Sequence, residues 1–257
     1  MTYLDAIILG ILQGLTEFLP ISSSGHLVLT EALLGVKQPG VSFELLVHVG
    51  TLLAVLCYFR TKILLLVKSV FVSSLQNERK WIGYLILGTL PAGLAGVLMK
   101  DFFEEAFSSP FFTSIMMLCT GFILLSTRVV KHGQGTVSFF TAIGMGIGQA
   151  LAIFPGISRS GTTISVGMIA GVKPSEAAEF SFLLAIPAIL GAVVLKRHEL
   201  LALEPSLIGQ YMIGMVFAFL LGLLAISGLL SVIRRGKFAY FAYYCFAVGC
   251  LGLYLFR

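Results

Sequence analysis

Apolar residues come in long blocks separated by short polar connections, and the blocks recur from one end of the chain to the other. A helix needs about 20 mostly apolar residues to cross a bilayer core. By that measure full spans fall near 43–59, 81–99, 111–128, 176–195, 208–232 and 238–256. Two further apolar regions, 4–35 and 138–171, are each broken midway by a Pro/Ser/Gly loop into two pieces too short to cross. Irregular backbone at membrane depth is tolerated only where protein buries it or where it lines a water-filled cavity. Both regions therefore read as re-entrant helical hairpins that enter and leave on one side. The pattern predicts an all-α polytopic membrane protein, a single membrane domain over residues 1–257.

The two hairpins are related. Shifting the chain by 136 positions lays Ala6–Gly25 on Ala142–Gly161. Identical pairs include Gly10/Gly146, Gln13/Gln149, Leu15/Leu151, Phe18/Phe154, Ser22/Ser158, Ser24/Ser160 and Gly25/Gly161. Alternation of apolar residues alone would not align Gln, Ser and Gly together, so duplication is the better account. The first repeat then covers residues 1–135 and the second 136–257, each with one hairpin plus three transmembrane helices. An odd number of crossings turns the second repeat upside down. The two loops then enter from opposite faces and meet near the midplane, an inverted-topology repeat with its polar site at the repeat interface.

Charge fixes the sides. Arg60, Lys62, Lys68, Arg79 and Lys80 fall in one connection, Arg128 and Lys131 in another, and Arg234, Arg235 and Lys237 in a third. Asp101, Glu104 and Glu105 oppose Lys100 in the connection between the first two. Basic connections stay cytoplasmic, which puts the acidic connection and both termini outside. The segment Lys196–Glu199 is the one basic connection that lands outside. Only 11% of the 257 residues are charged and 58% are hydrophobic, against about 25% charged in a soluble domain. The basic clusters punctuate spans rather than forming one stripe, which argues against nucleic-acid binding. The first apolar stretch lacks a basic leader and a small-residue cleavage site, so no signal peptide is expected. Cys57, Cys119, Cys245 and Cys250 lie in apolar segments without metal spacing and read as small buried hydrophobes.

The loops carry the candidate chemistry. In the first, Gln13 and Glu17 share a helix face and lead to Ser22, Ser23, Ser24, Gly25 and His26. A carboxylate at membrane depth is costly and marks a functional site by default. A base beside hydroxyls is the pairing that hydroxyl activation requires. In the second loop, Gly156, Ser158, Arg159, Ser160, Gly161 and Thr163 combine a guanidinium, hydroxyls and a helix N-terminus, all donors suited to a phosphate. Plainer readings stand beside these. Glu17 and Arg159 pair to lock the hairpins, the serines cap and pack helices, and His48, four after Glu44, is a satisfied polar residue facing the bundle interior. His132 and His198 read as solvated.

With Gln13…Glu17 running into Ser22–His26, and Pro155…Thr163 reading Pro-Gly-x-Ser-Arg-Ser-x-x-Thr, the whole chain resembles the undecaprenyl-diphosphate phosphatase, or bacitracin-resistance, family. The resemblance implies hydrolysis of undecaprenyl diphosphate to undecaprenyl phosphate and inorganic phosphate, which recycles the lipid carrier for peptidoglycan synthesis. It implies a bacterial plasma (inner) membrane enzyme with an outward-facing site, a prenyl diphosphate lipid as substrate and a divalent cation (Mg2+ or Ca2+). It ties Glu17, His26, Arg159 and a loop serine to catalysis. Gln13 stands where many members have a first glutamate, so a metal bound by Glu17 and Gln13 would have one neutral ligand. In the expected mechanism the second loop holds the diphosphate, Ser23 attacks the terminal phosphorus and His26 or Glu17 takes its proton. Attack by water or by His26 stays open, and so does a homodimer. The rival class is an inverted-repeat transporter or flippase for a prenyl phosphate lipid. Phosphatidate-type acid phosphatases share fragments of these loops but need a histidine soon after the Ser-Arg element, and none follows Arg159 before His198.

Overall fold

Residues 1–35, 41–130, 133–201 and 204–257 are described in a computed structural model. Among them every regular element is helical apart from one isolated bridge between Gly135 and Val172. The first hairpin is α1 (Tyr3–Phe18) and α2 (Ser23–Leu34). There follow α3 (Val41–Tyr58), α4 (Arg60–Phe71), α5 (Gln76–Leu98), α6 (Lys100–Phe107) and α7 (Pro110–Ser126). The second hairpin is α8 (Phe139–Leu151) and α9 (Arg159–Ile169). The chain ends with α10 (Pro174–Leu195), α11 (Arg197–Leu201), α12 (Ile208–Arg234) and α13 (Phe241–Leu255). Five helices among the described residues are long and apolar enough to cross a membrane, or six if α3 and α4, bent by 76° at their junction, count as one span. The chain is thus a multi-pass membrane protein, with its spans where the apolar blocks place them.

Three helices occupy segments expected to be plain connections. In α4 the charges of Arg60, Lys62 and Lys68 alternate with exposed Leu64, Val67 and Phe71, so the segment is helical but cannot cross. A helix of this kind lies along an interface. In α6 Phe103 is buried while Glu104 and Glu105 are exposed. The third, α11, carries the segment Arg197–Leu201, with His198 exposed as expected. His132 lies outside the described residues. The cysteines depart from expectation. Cys245 alone is buried, whereas Cys57 and Cys250 are exposed. The physical reason is that a span's outward face is apolar for lipid, so hydrophobicity there does not report protein burial.

The hairpins are held by local features that recur at the same 136-residue offset. Thr2 caps α1 in a reciprocal box with Asp5, and Ser138 caps α8 in one with Thr141. At the loop, the Gly25 amide donates to Ser22 Oγ at 3.1 Å, and the Gly161 amide donates to Ser158 Oγ at 3.0 Å. Packing repeats across the molecule as well. α1 runs along α12 while α8 runs along α5, and α3 meets α12 while α10 meets α5. Both hairpin contacts depend on missing side chains. A Cβ on Gly10 would overlap the Gly214 carbonyl, and a Cβ on Gly146 would overlap that of Gly88. Such backbone approach is how membrane helices gain packing energy without a hydrophobic driving force. Under the loops, Phe18 meets Phe182 edge-on at 5.5 Å, and Phe59 lies 5.9 Å from the same ring. These rings close the core on which the loops rest.

Candidate active site

The two loops touch. A Cβ on Gly25 would lie 3.0 Å from Gly156 Cα, and one on Gly161 would lie 3.3 Å from Pro20 Cβ. The Ser160 hydroxyl donates across the junction to the Leu19 carbonyl at 3.2 Å. Gly156 adopts a φ of 95°, where a side chain would be strained and would strike Thr113 and Met116. Its carbonyl accepts from Thr120 Oγ1 at 2.7 Å, and the same hydroxyl oxygen accepts from the Ser158 amide at 3.0 Å. Thr120, from α7, thus satisfies two backbone groups of the second loop that would otherwise be buried unpaired.

At the contact, one carboxylate gathers the chemistry. Arg159 Nη2 donates to Glu17 Oε1 at 2.6 Å, joining the first residue of α9 to the end of α1. Glu17 Oε2 accepts from Ser23 Oγ at 2.6 Å and from Gln13 Nε2 at 3.0 Å. His48 Nε2, from α3, stands 3.6 Å from the same oxygen. His48 Nδ1 donates to the Glu44 carbonyl at 2.7 Å, which aims the other nitrogen at Glu17. Arg159 Nη1 donates to the Ser181 carbonyl at 3.2 Å. A guanidinium has five N–H donors, so these two bonds leave three for a ligand. Glu17 and Ser23 are both buried, and the guanidinium opposes the carboxylate directly in those surroundings.

Ser23 is presented by an unusual backbone. Ser22, the N-cap of α2, has φ 68° and ψ 98°, and is the one non-glycine residue among those described with positive φ. Its counterpart Ser158 has an ordinary φ of −74°. Strain of this kind is held where surrounding structure over-determines it, and it clusters at active sites. Here it turns the first residue of α2 back onto Glu17.

The sequence-predicted residues divide accordingly. Gln13, Glu17, Ser23 and Arg159 converge. His26 does not join them through its ring nitrogens: Nδ1 donates to the Ser22 carbonyl at 2.8 Å, so in the neutral ring Nε2 accepts from the Tyr244 hydroxyl, also at 2.8 Å. The Tyr244 ring stacks on it at 12°. Several donors expected for a diphosphate are committed to the protein instead. Ser22 Oγ and Ser158 Oγ cap their helices, each 3.3 Å from Ser24 Oγ and Ser160 Oγ respectively. Ser160 braces the loops, and Thr163 Oγ1 bonds the Arg159 carbonyl and Ser181 Oγ. Ser158, Ser160 and Thr163 are fully buried, so of these hydroxyls only Ser24 is partly open. In this structure the second loop's hydroxyls hold its shape. Gly25, Gly156 and Gly161 permit the close approach of the loops.

A divalent cation does not fit as an ion held by protein ligands alone. No three His, Cys, Asp or Glu side chains converge among the described residues. Glu17 already has its charge opposed by Arg159, and the remaining buried oxygen beside it is the unpartnered Oε1 of Gln13. Four residues of the site lay outside the sequence reading or at its margin: Thr120, Ser181, Tyr244 and His48. Only His48 left a signal, its spacing from Glu44.

Comparison with known proteins extends over nearly the whole chain. The family model of bacitracin resistance protein BacA matches residues 6–251. A protein of Salinibacter ruber named undecaprenyl-diphosphatase is 43% identical over 269 residues, covering 99% of this chain and 100% of that protein. One of Syntrophotalea carbinolica with the same name is 45% identical over 255 residues, covering 97% of each chain. An undecaprenyl-diphosphatase 1 of Shouchella clausii is 40% identical, over 98% of this chain and 95% of that one. With its loops joined through Glu17 and Arg159, and with likeness of this extent, the chain belongs to the BacA bacitracin resistance family.

Proposed function

We propose that the chain is an undecaprenyl-diphosphatase, hydrolysing undecaprenyl diphosphate to undecaprenyl phosphate and inorganic phosphate. The observation that carries the chemistry is the Ser23 hydroxyl 2.6 Å from a carboxylate that Arg159 holds from the other hairpin. In this reading Ser23 Oγ attacks the terminal phosphorus and its proton passes to Glu17 Oε2. The bond to the bridging oxygen breaks, and prenyl phosphate leaves. Water then attacks the phosphoserine, Ser23 recovers its proton from Glu17, and inorganic phosphate departs carrying both protons of the water. The free N–H groups of Arg159 stabilise the charge on the transferring group, the contribution that dominates phosphoryl transfer. Of the two candidate bases, Glu17 rather than His26 takes the proton, because it already accepts the hydrogen bond of the Ser23 hydroxyl. His26 fixes the Ser22 turn from which Ser23 projects.

The prenyl tail lies among the apolar helices, where each buried CH₂ contributes about 0.8 kcal/mol. A divalent cation bound with the substrate would screen the charge of its phosphate oxygens, and no step here runs through it. The plasma membrane location, the outward-facing site and the inverted arrangement of the halves belong to the same proposal. They are supported by the charge of the connections and by the exchanged packing of equivalent helices. The transporter alternative lacks support of this kind, since the relatives named above are diphosphatases.

The test is phosphate release from a prenyl diphosphate by purified protein, beside Ser23→Ala, Glu17→Gln and Arg159→Ala. Each variant should lose at least about 100-fold in turnover, the scale of a removed acid–base or oxyanion partner. A phospho-enzyme trapped in the wild type should carry its label on serine. Label on histidine, or full activity in Ser23→Ala, would overturn the mechanism.

A further inference from the structure

On the basic side of the molecule, away from the joined loops, a cavity of about 530 Å³ opens between α4, α5, α10 and the segment preceding α8. Its charges are unevenly committed. Lys62 Nζ sits 3.5 Å from Glu179 Oε1 and 4.4 Å above the Trp81 ring. Glu176 Oε1 accepts from the Val137 amide at 2.9 Å. Both carboxylates of the wall are thereby occupied. The Lys80 and Lys173 ammonium groups have no partner among the described residues, and neither do the Asn77, Thr136 and Ser175 side chains that line the same space. Two ammonium groups, two hydroxyls and an amide therefore face one cavity with their donors free. That set suits a phosphate oxygen cluster, and it offers an apolar or cationic ligand little.

The surroundings say where such a phosphate sits. α4 departs from α3 by 76° and shows exposed Leu64, Val67 and Phe71, so it lies along the bilayer boundary. Trp81 and Tyr84 line the cavity wall, and these residue types collect at headgroup level. Beyond Trp81, α5 turns an apolar face outward, with Ile86, Leu90 and Leu94 exposed and only Gly88 buried. A lipid with its headgroup in the cavity has a ready track for its acyl chains along α5. We propose that this cavity is a binding site for the phosphodiester headgroup of an anionic phospholipid, held by Lys80 and Lys173. Basic pockets between helices at this level recognise such headgroups by the same chemistry.

The experiment uses the chain's single tryptophan, which lines the cavity. The full protein is placed in phosphatidylcholine vesicles, and Trp81 emission is quenched with equal mole fractions of brominated phosphatidylglycerol or brominated phosphatidylcholine. The anionic lipid should bind preferentially, with about fivefold contributed by each lysine near the surface. In Lys80→Gln/Lys173→Gln the ratio should fall close to one. The Lys80→Arg/Lys173→Arg variant should keep its preference, and the two single glutamine variants should each lose about fivefold if the double variant fails to fold. Prenyl diphosphate turnover of the folded glutamine variants in neutral detergent should stay at the wild-type level, since neither lysine touches the Glu17 site. An equal response to both lipids in the wild type, or a preference that survives both glutamines, overturns the proposal. Inorganic phosphate that shifts Trp81 emission in detergent, without any lipid preference in vesicles, would make this a soluble-anion site and overturn the lipid assignment.

Discussion

At the scale of single residues, the site is assembled by one carboxylate whose bonds each come from a different place. Replacing Arg159 by lysine keeps a positive charge but removes the fork that reaches Glu17 Oε1 and the Ser181 carbonyl at once. Turnover of Arg159→Lys should fall by at least about tenfold, the least that a lost bidentate donor costs, with the fold retained by thermal melting. Wild-type turnover in that variant would mean charge alone suffices. Thr120→Val makes a different demand. It leaves the Gly156 carbonyl and the Ser158 amide buried without a partner, a loss of about 1–3 kcal/mol. Its melting temperature should drop and KM should rise as the second loop loosens. An unchanged melting temperature would show that water replaces the hydroxyl. These two cases also show what the sequence made legible. Ser23 and Arg159 are readable because the repeat aligns them within its two polar loops, and Glu17 because a carboxylate at membrane depth stands out. Thr120 and Tyr244 are not, because a lone hydroxyl in a span says nothing about a loop 36 residues away or a histidine 218 residues away.

Among elements, the hairpins depend on backbone contact. Gly10→Ala and Gly146→Ala should each destabilise the protein by about 1–3 kcal/mol, since the added methyl must push α1 from α12 or α8 from α5. Gly83→Ala offers the contrast on α5. Nothing lies within 4 Å of its Cβ position, so the gain in helix propensity should stabilise by up to about 1 kcal/mol. Melting of the three variants in one detergent checks the order, and equal shifts would refute the packing account. The broken apolar regions announced the hairpins because Pro, Ser and Gly interrupt hydrophobicity at membrane depth. α4 was less legible. Its lysines and arginines read as a connection, and only the 76° bend at Phe59 shows that the chain continues there as a second helix. Partner choice was hidden altogether, since which faces meet depends on glycines whose spacing also suits a loop or a tight turn.

For the whole molecule, the decisive property is the relation between the halves. The matched capping boxes and the paired serine caps repeat at one offset, and equivalent helices exchange their partners. If the second half is inverted, its hairpin begins on the face opposite to the first. Labelling tests this directly once the four native cysteines are replaced, Cys57 and Cys250 being exposed already. Single cysteines at Tyr3 and Gln134 mark the entries to α1 and α8, while Ser108 and Ser74 mark the acidic and basic connections. An impermeant maleimide applied to oriented membrane vesicles should modify Tyr3→Cys and Ser108→Cys from the outer face. Gln134→Cys and Ser74→Cys should react only after the inner face is exposed. The basic connections make this the favoured orientation, and the pair at residues 3 and 134 carries the weight. Labelling of both from one side would mean the loops enter together. Glu17 and Arg159 would then have to meet by parallel rather than opposed hairpins, and the inverted reading would fail even though their 2.6 Å contact stands.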